Sequence, residues 1–104
     1  MSEWNVKFSP DAAKDYRHLD SSHRILVDKA LKKVSQNPLS TKEGGYGKPL
    51  SNYSDSELAG YYKIKLKSSG IRIVYRLIRI DGVMYIVIIG MRETVYKEAE
   101  RRIR

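Results

Sequence analysis

Seven consecutive apolar residues, Val83-Met-Tyr-Ile-Val-Ile-Ile89, constrain this chain more than any other feature. The run is far too short to cross a bilayer, and it is apolar on both parities, so as a β-strand it needs cover on both faces. Gly90 ends or bulges it. Upstream, in Gly60-Tyr-Tyr-Lys-Ile-Lys-Leu-Lys67, the period of two sends Tyr62, Ile64 and Leu66 to one side and Lys63, Lys65 and Lys67 to the other. With Ser69-Gly70 at the centre of a turn, Lys67 is expected opposite Arg72, Lys65 opposite Val74 and Lys63 opposite Arg76, a register that keeps both faces pure. Asp81-Gly82 is expected to be a two-residue hairpin turn. Pairing about it puts Met91 beside Arg72 and Arg92 on the other parity. Arg92 then reaches the face of Arg72 only if Gly90 bulges or the strand has already ended.

The rest of the chain supplies the cover. Trp4, Val6 and Phe8 alternate with Asn5 and Lys7 as a short first strand. Ser9-Pro10-Asp11 is a helix start, with serine as cap, proline at the first helical position and an acid in the first turn, so residues 10 to about 19 are read as helix. Asp20-Ser21-Ser22 caps a second helix, in which Ile25, Leu26, Ala30, Leu31 and Val34 recur until Asn37-Pro38 breaks the pattern. Pro38 to Glu57, including Gly44-Gly45-Tyr46-Gly47, has no sustained period and reads as a flexible surface loop with at most one helical turn; it lacks the preceding strand and Lys-Ser/Thr of a phosphate-binding loop. Tyr96, Ala99 and Ile103 mark an amphipathic C-terminal helix. The expectation is an α+β fold over one domain, residues 1–104, with a small antiparallel sheet and element order β-α-α-loop-β-β-β-α.

Twenty Lys and Arg against twelve Asp and Glu leave a net charge of +8, which favours an acidic partner such as nucleic acid. The absence of cysteine excludes disulfides, thiol catalysis and Cys-ligated metal. The N-terminus has no apolar run of signal-peptide type, so a soluble, cytoplasmic protein is expected. His18 and His23 have no companions that complete a metal site or triad, and Asp11, Asp15, Asp20 and Glu57 are read as helix-terminal or solvated. No cofactor or metal is expected.

Between Glu57 and Asp81 stand Lys63, Lys65, Lys67, Arg72, Arg76 and Arg79, and no acid. A solvated sheet face usually mixes signs, and like charges opposed across strands are destabilising. A cation row of this kind can instead receive a polyanion. RNA brings its own nucleophile, the 2′-hydroxyl, and attack on the adjacent phosphorus builds negative charge that Lys and Arg stabilise. Crowding by cations also lowers a lysine's pKa towards that of a usable base.

Tyr62-Lys63-Ile64-Lys65-Leu66-Lys67-Ser68-Ser69-Gly70-Ile71-Arg72-Ile73-Val74-Tyr75, then Gly90-Met91-Arg92-Glu93 and Val95-Tyr96-Lys97-Glu98-Ala99 with Arg102-Ile103, strongly resembles the RelE family of bacterial toxins. The resemblance implies a metal-independent, ribosome-dependent endoribonuclease that cuts messenger RNA in the A site, beside 16S rRNA, and a cognate RelB-like antitoxin with an acidic or amphipathic segment. Carried over by position, Lys63 and Lys65 match lysines near the 2′-hydroxyl, one of them the candidate general base. Arg72 matches the arginine on the scissile phosphate, Arg92 the arginine assigned to transition-state stabilisation, and Tyr96 the tyrosine that orients or stacks on RNA. The interval from Arg92 to Tyr96 is shorter than in the best-known members, so Tyr96 is located by the Lys97-Glu98-Ala99 that follows it. Lys67 and Arg76 are added from the face pattern alone, as phosphate contacts. Two alternatives stay open: a ParE-like toxin that poisons DNA gyrase, which shares the fold, and a non-catalytic RNA- or ribosome-binding module.

Overall fold

A computed structural model describes residues 4–50 and 58–103 of the protein. Strand β1 (Asn5–Phe8) runs into helix α1 (Pro10–His18), where Ser9 Oγ accepts the Ala12 N–H and Pro10 sits where no amide donor is required. Asp20 accepts the His23 N–H at 2.9 Å and so starts α2 (Ser21–Val34). There follow β2 (Lys48–Pro49), β3 (Tyr62–Leu66), β4 (Ile71–Ile78), β5 (Val83–Met91) and α3 (Val95–Ile103). Among the described residues no helix is long and apolar enough to cross a membrane.

The α+β class agrees with the sequence, and so does the order of elements except for the two-residue strand β2, which falls in the stretch expected to be loop; the sheet is also mixed rather than wholly antiparallel. Its five strands run β1-β5-β4-β3-β2, and β1 lies parallel to β5 while the other neighbours are antiparallel. Alternation in β1 records which residues face inward but not the direction of the strand, so the parallel sense was not readable. The apolar β5 sits between β1 and β4 with cover on both sides, as its composition demands. On one face Met84, Ile86 and Ile89 pack with Ile64, Ile73 and Tyr75 under Ala12 of α1 and Val27, Leu31 and Val34 of α2. On the other, Val87 and Ile88 pack with Val74, Leu50 and Leu58 under Val95 and Ala99 of α3.

Both hairpin turns are longer than expected. Leu66 pairs with Ile71, so the first turn takes Lys67 to Gly70, with Gly70 at φ +76°, a conformation that favours glycine. The second closes on Ile78 and Val83 and spans Arg79 to Gly82, where Asp81-Gly82 alone was expected to form the turn. The register of β3 against β4 therefore slides by two residues, which leaves each face intact but changes every pairing. Lys65 meets Arg72, Lys63 meets Val74 and Tyr62 meets Tyr75. The Ser69 side chain explains the longer first turn: Oγ donates to the Leu66 carbonyl at 2.9 Å and accepts the Ile71 N–H at 3.2 Å.

Within the stretch expected to be a flexible surface loop, Gly44 and Tyr46 are exposed, but Gly45 and Gly47 pack closely against the backbone of Asn37 to Leu39. A Cβ on Gly47 would lie 2.4 Å from the Tyr75 hydroxyl and 2.6 Å from the Pro38 carbonyl oxygen, which this hydroxyl bonds at 2.8 Å. Asp15, read as solvated, is largely buried and pairs with Arg102 of α3; Glu57 lies outside the described residues. Tyr75 is fully buried and stacks on Tyr62 at 5.2 Å. Burial, with a smaller contribution from Tyr62, holds its phenol above the ordinary tyrosine range.

Tyr75→Phe leaves the buried Pro38 carbonyl without its donor and is expected to destabilise the fold by about 1–2 kcal/mol, measured by denaturant unfolding. A phenol whose folded pKa is raised contributes fully below the unfolded value of 10.0 and loses that contribution as pH climbs past it. Alkaline titration is therefore expected to erode the stability of the wild type more steeply than that of Tyr75→Phe.

Candidate nucleic-acid interface

The cations are set on the α3 side of the sheet. Lys65 lies directly opposite Arg72, and Lys48 of the two-residue β2 lies opposite Lys63. Like charges thus oppose each other twice, although the pairs differ from those expected because the turn is longer. This face is not a bare row of cations: Val74 at its centre is fully buried beneath α3, and the charged groups stand around that second core. Lys67 lies in the turn rather than on the strand and is exposed. Arg76 faces Tyr85 across the strands and stacks over its ring at 5.3 Å, two positions beyond Val74 and apart from Lys65 and Arg72. Tyr96 is half-buried on α3, packed against the second core beside Tyr85 and Ile103.

Among the described residues no carboxylate lies within ion-pair distance of Lys63, Lys65, Lys67, Arg72 or Arg76. Arg79, by contrast, is neutralised by Glu43 in a two-pronged pair at 3.1 and 3.2 Å. Burial comes first, then the fields of Lys65, Lys48 and Arg72, in holding the Lys63 ammonium below the ordinary lysine range. The lowering expected from crowded cations is therefore present at Lys63. Arg72 is half-buried and donates to its neighbour's carbonyl, Ile71, at 3.1 Å.

Arg92 reaches this face by a bulge, but not at Gly90. From Ile78↔Val83 to Tyr75↔Ile86 the pairing is regular, then Val74 meets Ile88, leaving Val87 unpaired. That extra residue reverses the parity beyond it, so Arg72 lies opposite Gly90, where an unbroken ladder would set Ile89 and the expected two-residue turn would set Met91. The Arg92 N–H continues the ladder to the Gly70 carbonyl at 2.9 Å, which sets its side chain on the face of Arg72. Arg92 itself is exposed and donates from Nε to Glu93 at 3.2 Å. Glu93 is held below the usual carboxylate range, first by a backbone hydrogen bond within the residue, then by Arg92, with Arg72 adding to the field.

The sequence did not single out Lys33, Lys48 or Tyr46, which the fold brings beside the cations of β3. Lys33, Lys48, Lys63, Lys65, Lys67 and Tyr46 line a groove of about 390 Å³ between α2 and the edge of β3, with the Lys33 ammonium 5.2 Å from the Tyr46 ring centre. Lys33 lies off the apolar stripe of α2, and Lys48 falls in the stretch expected to be loop, since two residues cannot show a period. Among the described residues no group of three His, Cys, Asp or Glu comes together as metal ligands.

A family model described as the ParE toxin of the type II toxin-antitoxin system parDE matches residues 6–96. The chain belongs to the RelE/ParE family of type II toxin-antitoxin toxins. It is 36% identical over 100 residues to the mRNA interferase toxin RelE of Escherichia coli K12, spanning 94% of this chain and 95% of that protein. A mutant of the E. coli toxin RelE in the free state superposes with a TM-score of 0.75 at 31% identity, covering 99% of this chain and all of that one. The toxin in the intact E. coli RelBE toxin-antitoxin complex gives 0.65 at 31% identity, over 85% and 95% of the two chains. This toxin therefore carries its cations on the scaffold of RelE, and the α+β fold is shared throughout.

An ammonium whose folded pKa is lowered destabilises the fold at neutral pH, and that effect fades as pH rises to the unfolded value of 10.5. Lys63→Met is expected to raise stability at pH 7 by a few tenths of a kcal/mol, a gain kept small by solvent screening. Repeating the denaturant titration near pH 10.5 is expected to abolish the gain. A loss of stability at pH 7 would contradict the cation crowding.

Proposed function

We propose that this toxin is a ribosome-dependent endoribonuclease that cuts messenger RNA in the A site, in the cytoplasm and beside 16S rRNA. The observation that carries the reading is the opposition of Lys48 to Lys63 and of Lys65 to Arg72, with no described carboxylate paired to any of them. Folding gains nothing from such pairs, and a phosphodiester supplies the missing counterion. The relationship to a protein named mRNA interferase toxin RelE supports the same reading.

The 2′-hydroxyl of the substrate is the nucleophile and attacks the adjacent phosphorus, leaving a 2′,3′-cyclic phosphate and a 5′-oxyanion that takes a proton from water to become the free 5′-hydroxyl. Lys63, whose pKa is lowered, takes the hydroxyl proton, and Lys65 stabilises the alkoxide as it forms. Arg72 holds the scissile phosphate. Arg92 exchanges Glu93 for the substrate and stabilises charge on the pentacoordinate phosphorus; as a guanidinium it acts as a fixed charge. Tyr96 at the edge of α3 orients the RNA. Lys67 on the turn and Arg76 beside Tyr85 contact flanking phosphates. None of these steps calls for a metal ion. A cognate RelB-like antitoxin with an acidic, amphipathic segment would neutralise the same cations, in keeping with the E. coli RelE structures solved with antitoxin. The ParE description of the family model favours a second reading, a toxin that binds DNA gyrase. That function has no need of Lys63, Lys65, Arg72 and Arg92 on one face.

Purified toxin incubated with translating ribosomes, followed by mapping of 5′ ends, is expected to yield cuts within A-site codons that vanish when the 2′-hydroxyl at the cleavage position is replaced by hydrogen. Arg72→Ala and Arg92→Ala are each expected to lower the cleavage rate by about 10²-fold or more. Gyrase-linked DNA breaks with messenger left intact would overturn the nuclease reading.

A further inference from the structure

The bulge at Val87 decides which side of the sheet Arg92 occupies. Extended without it, the pairing at Ile78↔Val83 would set Ile89 opposite Arg72 and send Gly90 and Arg92 to the side of α1 and α2. A bulge strips backbone groups from the ladder, and these need other partners. Here side chains provide them. The Val87 carbonyl accepts from Arg102 Nη1 at 3.0 Å and from Ser9 Oγ at 3.3 Å. The Ile89 N–H donates to Asp15 Oδ2 at 3.0 Å. Arg102 then closes on Asp15 with two bonds of 2.8 and 3.0 Å, both side chains only 17% exposed, while Glu98 accepts from Arg102 Nε at 3.2 Å.

We infer that Asp15 and Arg102 are positioning residues for Arg92: clasped between α1 and α3, they hold the extra residue of β5 at Val87 and thereby keep Arg92 on the cation face. Neither lies among the opposed cations, so each acts through the bulge. The geometry is specific. A carboxylate on α1 must accept from the backbone N–H on one side of Ile88, and a forked donor on α3 must reach the carbonyl on the other. An ion pair of reversed polarity would bridge the same helices but offer the wrong group to each backbone atom. The inference rests on the RNA-cleavage reading for its kinetic consequence, though not for its geometry.

The test combines NMR with kinetics on the full chain. Asp15→Asn, which keeps its size and one acceptor, and Arg102→Lys are each expected to shift the backbone amide signals of Ile89, Gly90 and Arg92 while those of Lys63 to Leu66 stay in place. On ribosome-bound messenger each is expected to lower kcat by roughly 10–100-fold with KM nearly unchanged, yet by less than about 2-fold when Arg92→Ala is already present. Val27→Ala, which lowers thermal stability from the buried core without touching the bulge, is expected to leave kcat intact at temperatures where it is folded. Unmoved signals from Ile89 to Arg92 would overturn the inference whatever the activity. So would a kcat loss that multiplies in full with that of Arg92→Ala. Shifted signals in a protein whose wild type cuts no messenger would uphold the clasp and sink the nuclease reading instead. Should Arg102→Lys fail to fold, Asp15→Asn alone carries both measurements.

Discussion

Strand β5 must be buried on both faces, and the rest of the structure is arranged around that requirement. With Met84, Ile86 and Ile89 on one side and Val87 and Ile88 on the other, it cannot occupy an edge or face water. β1 and β4 flank it, the α1–α2 pair covers one face and α3 the other. The two consecutive residues Val87 and Ile88 share the α3 face because of the bulge, so the residue that breaks the alternation also fills the second core. One irregularity thus fills the second core and brings Arg92 onto the cation face.

Electrostatics runs against this packing. Two like-charged pairs oppose each other across the strands, and Lys63 is held by burial and by its neighbours below the pKa of a free lysine. The carboxylates that do approach sit at the margins. Glu43 engages Arg79, and Glu93 engages Arg92 while feeling the field of Arg72. Both are exposed, and an arriving polyanion can replace an exposed carboxylate at little expense because water screens the pair it leaves. The buried pair, Asp15 with Arg102, is placed where replacement would be costly, at the bulge rather than at the face.

Membership in the RelE/ParE family narrows the function without deciding it, since one scaffold serves toxins with different targets. What separates the readings is side-chain chemistry on that scaffold. A protein surface that binds another protein gains from complementary shape and a mixed rim, whereas concentrated, unpaired cations in register suit a phosphodiester. Lys33 and Lys48, with Tyr46, extend the positive surface around the edge of β3 towards α2, so the cations stand on more than one element.

The sequence by itself determined the helix starts at Ser9-Pro10 and Asp20-Ser21, the two pure faces of the Tyr62–Leu66 strand and the double-sided burial of Val83 to Ile89. These are local matters of capping, alternation and hydropathy, and each is set by residues near one another in the chain. It also carried the family resemblance and five of the candidate residues, Lys63, Lys65, Arg72, Arg92 and Tyr96, because their motifs are contiguous. Register was another matter. Parity survives a slip of two residues, so alternation could not tell Lys65↔Arg72 from Lys67↔Arg72, and the Ser69 hydrogen bonds decided it. Nor could it locate the bulge at Val87, whose partners Ser9, Asp15 and Arg102 come from distant parts of the chain. Only the folded molecule brings those groups together, since the free energy that selects one bulge position lies in hydrogen bonds that do not exist until α1, β5 and α3 have met.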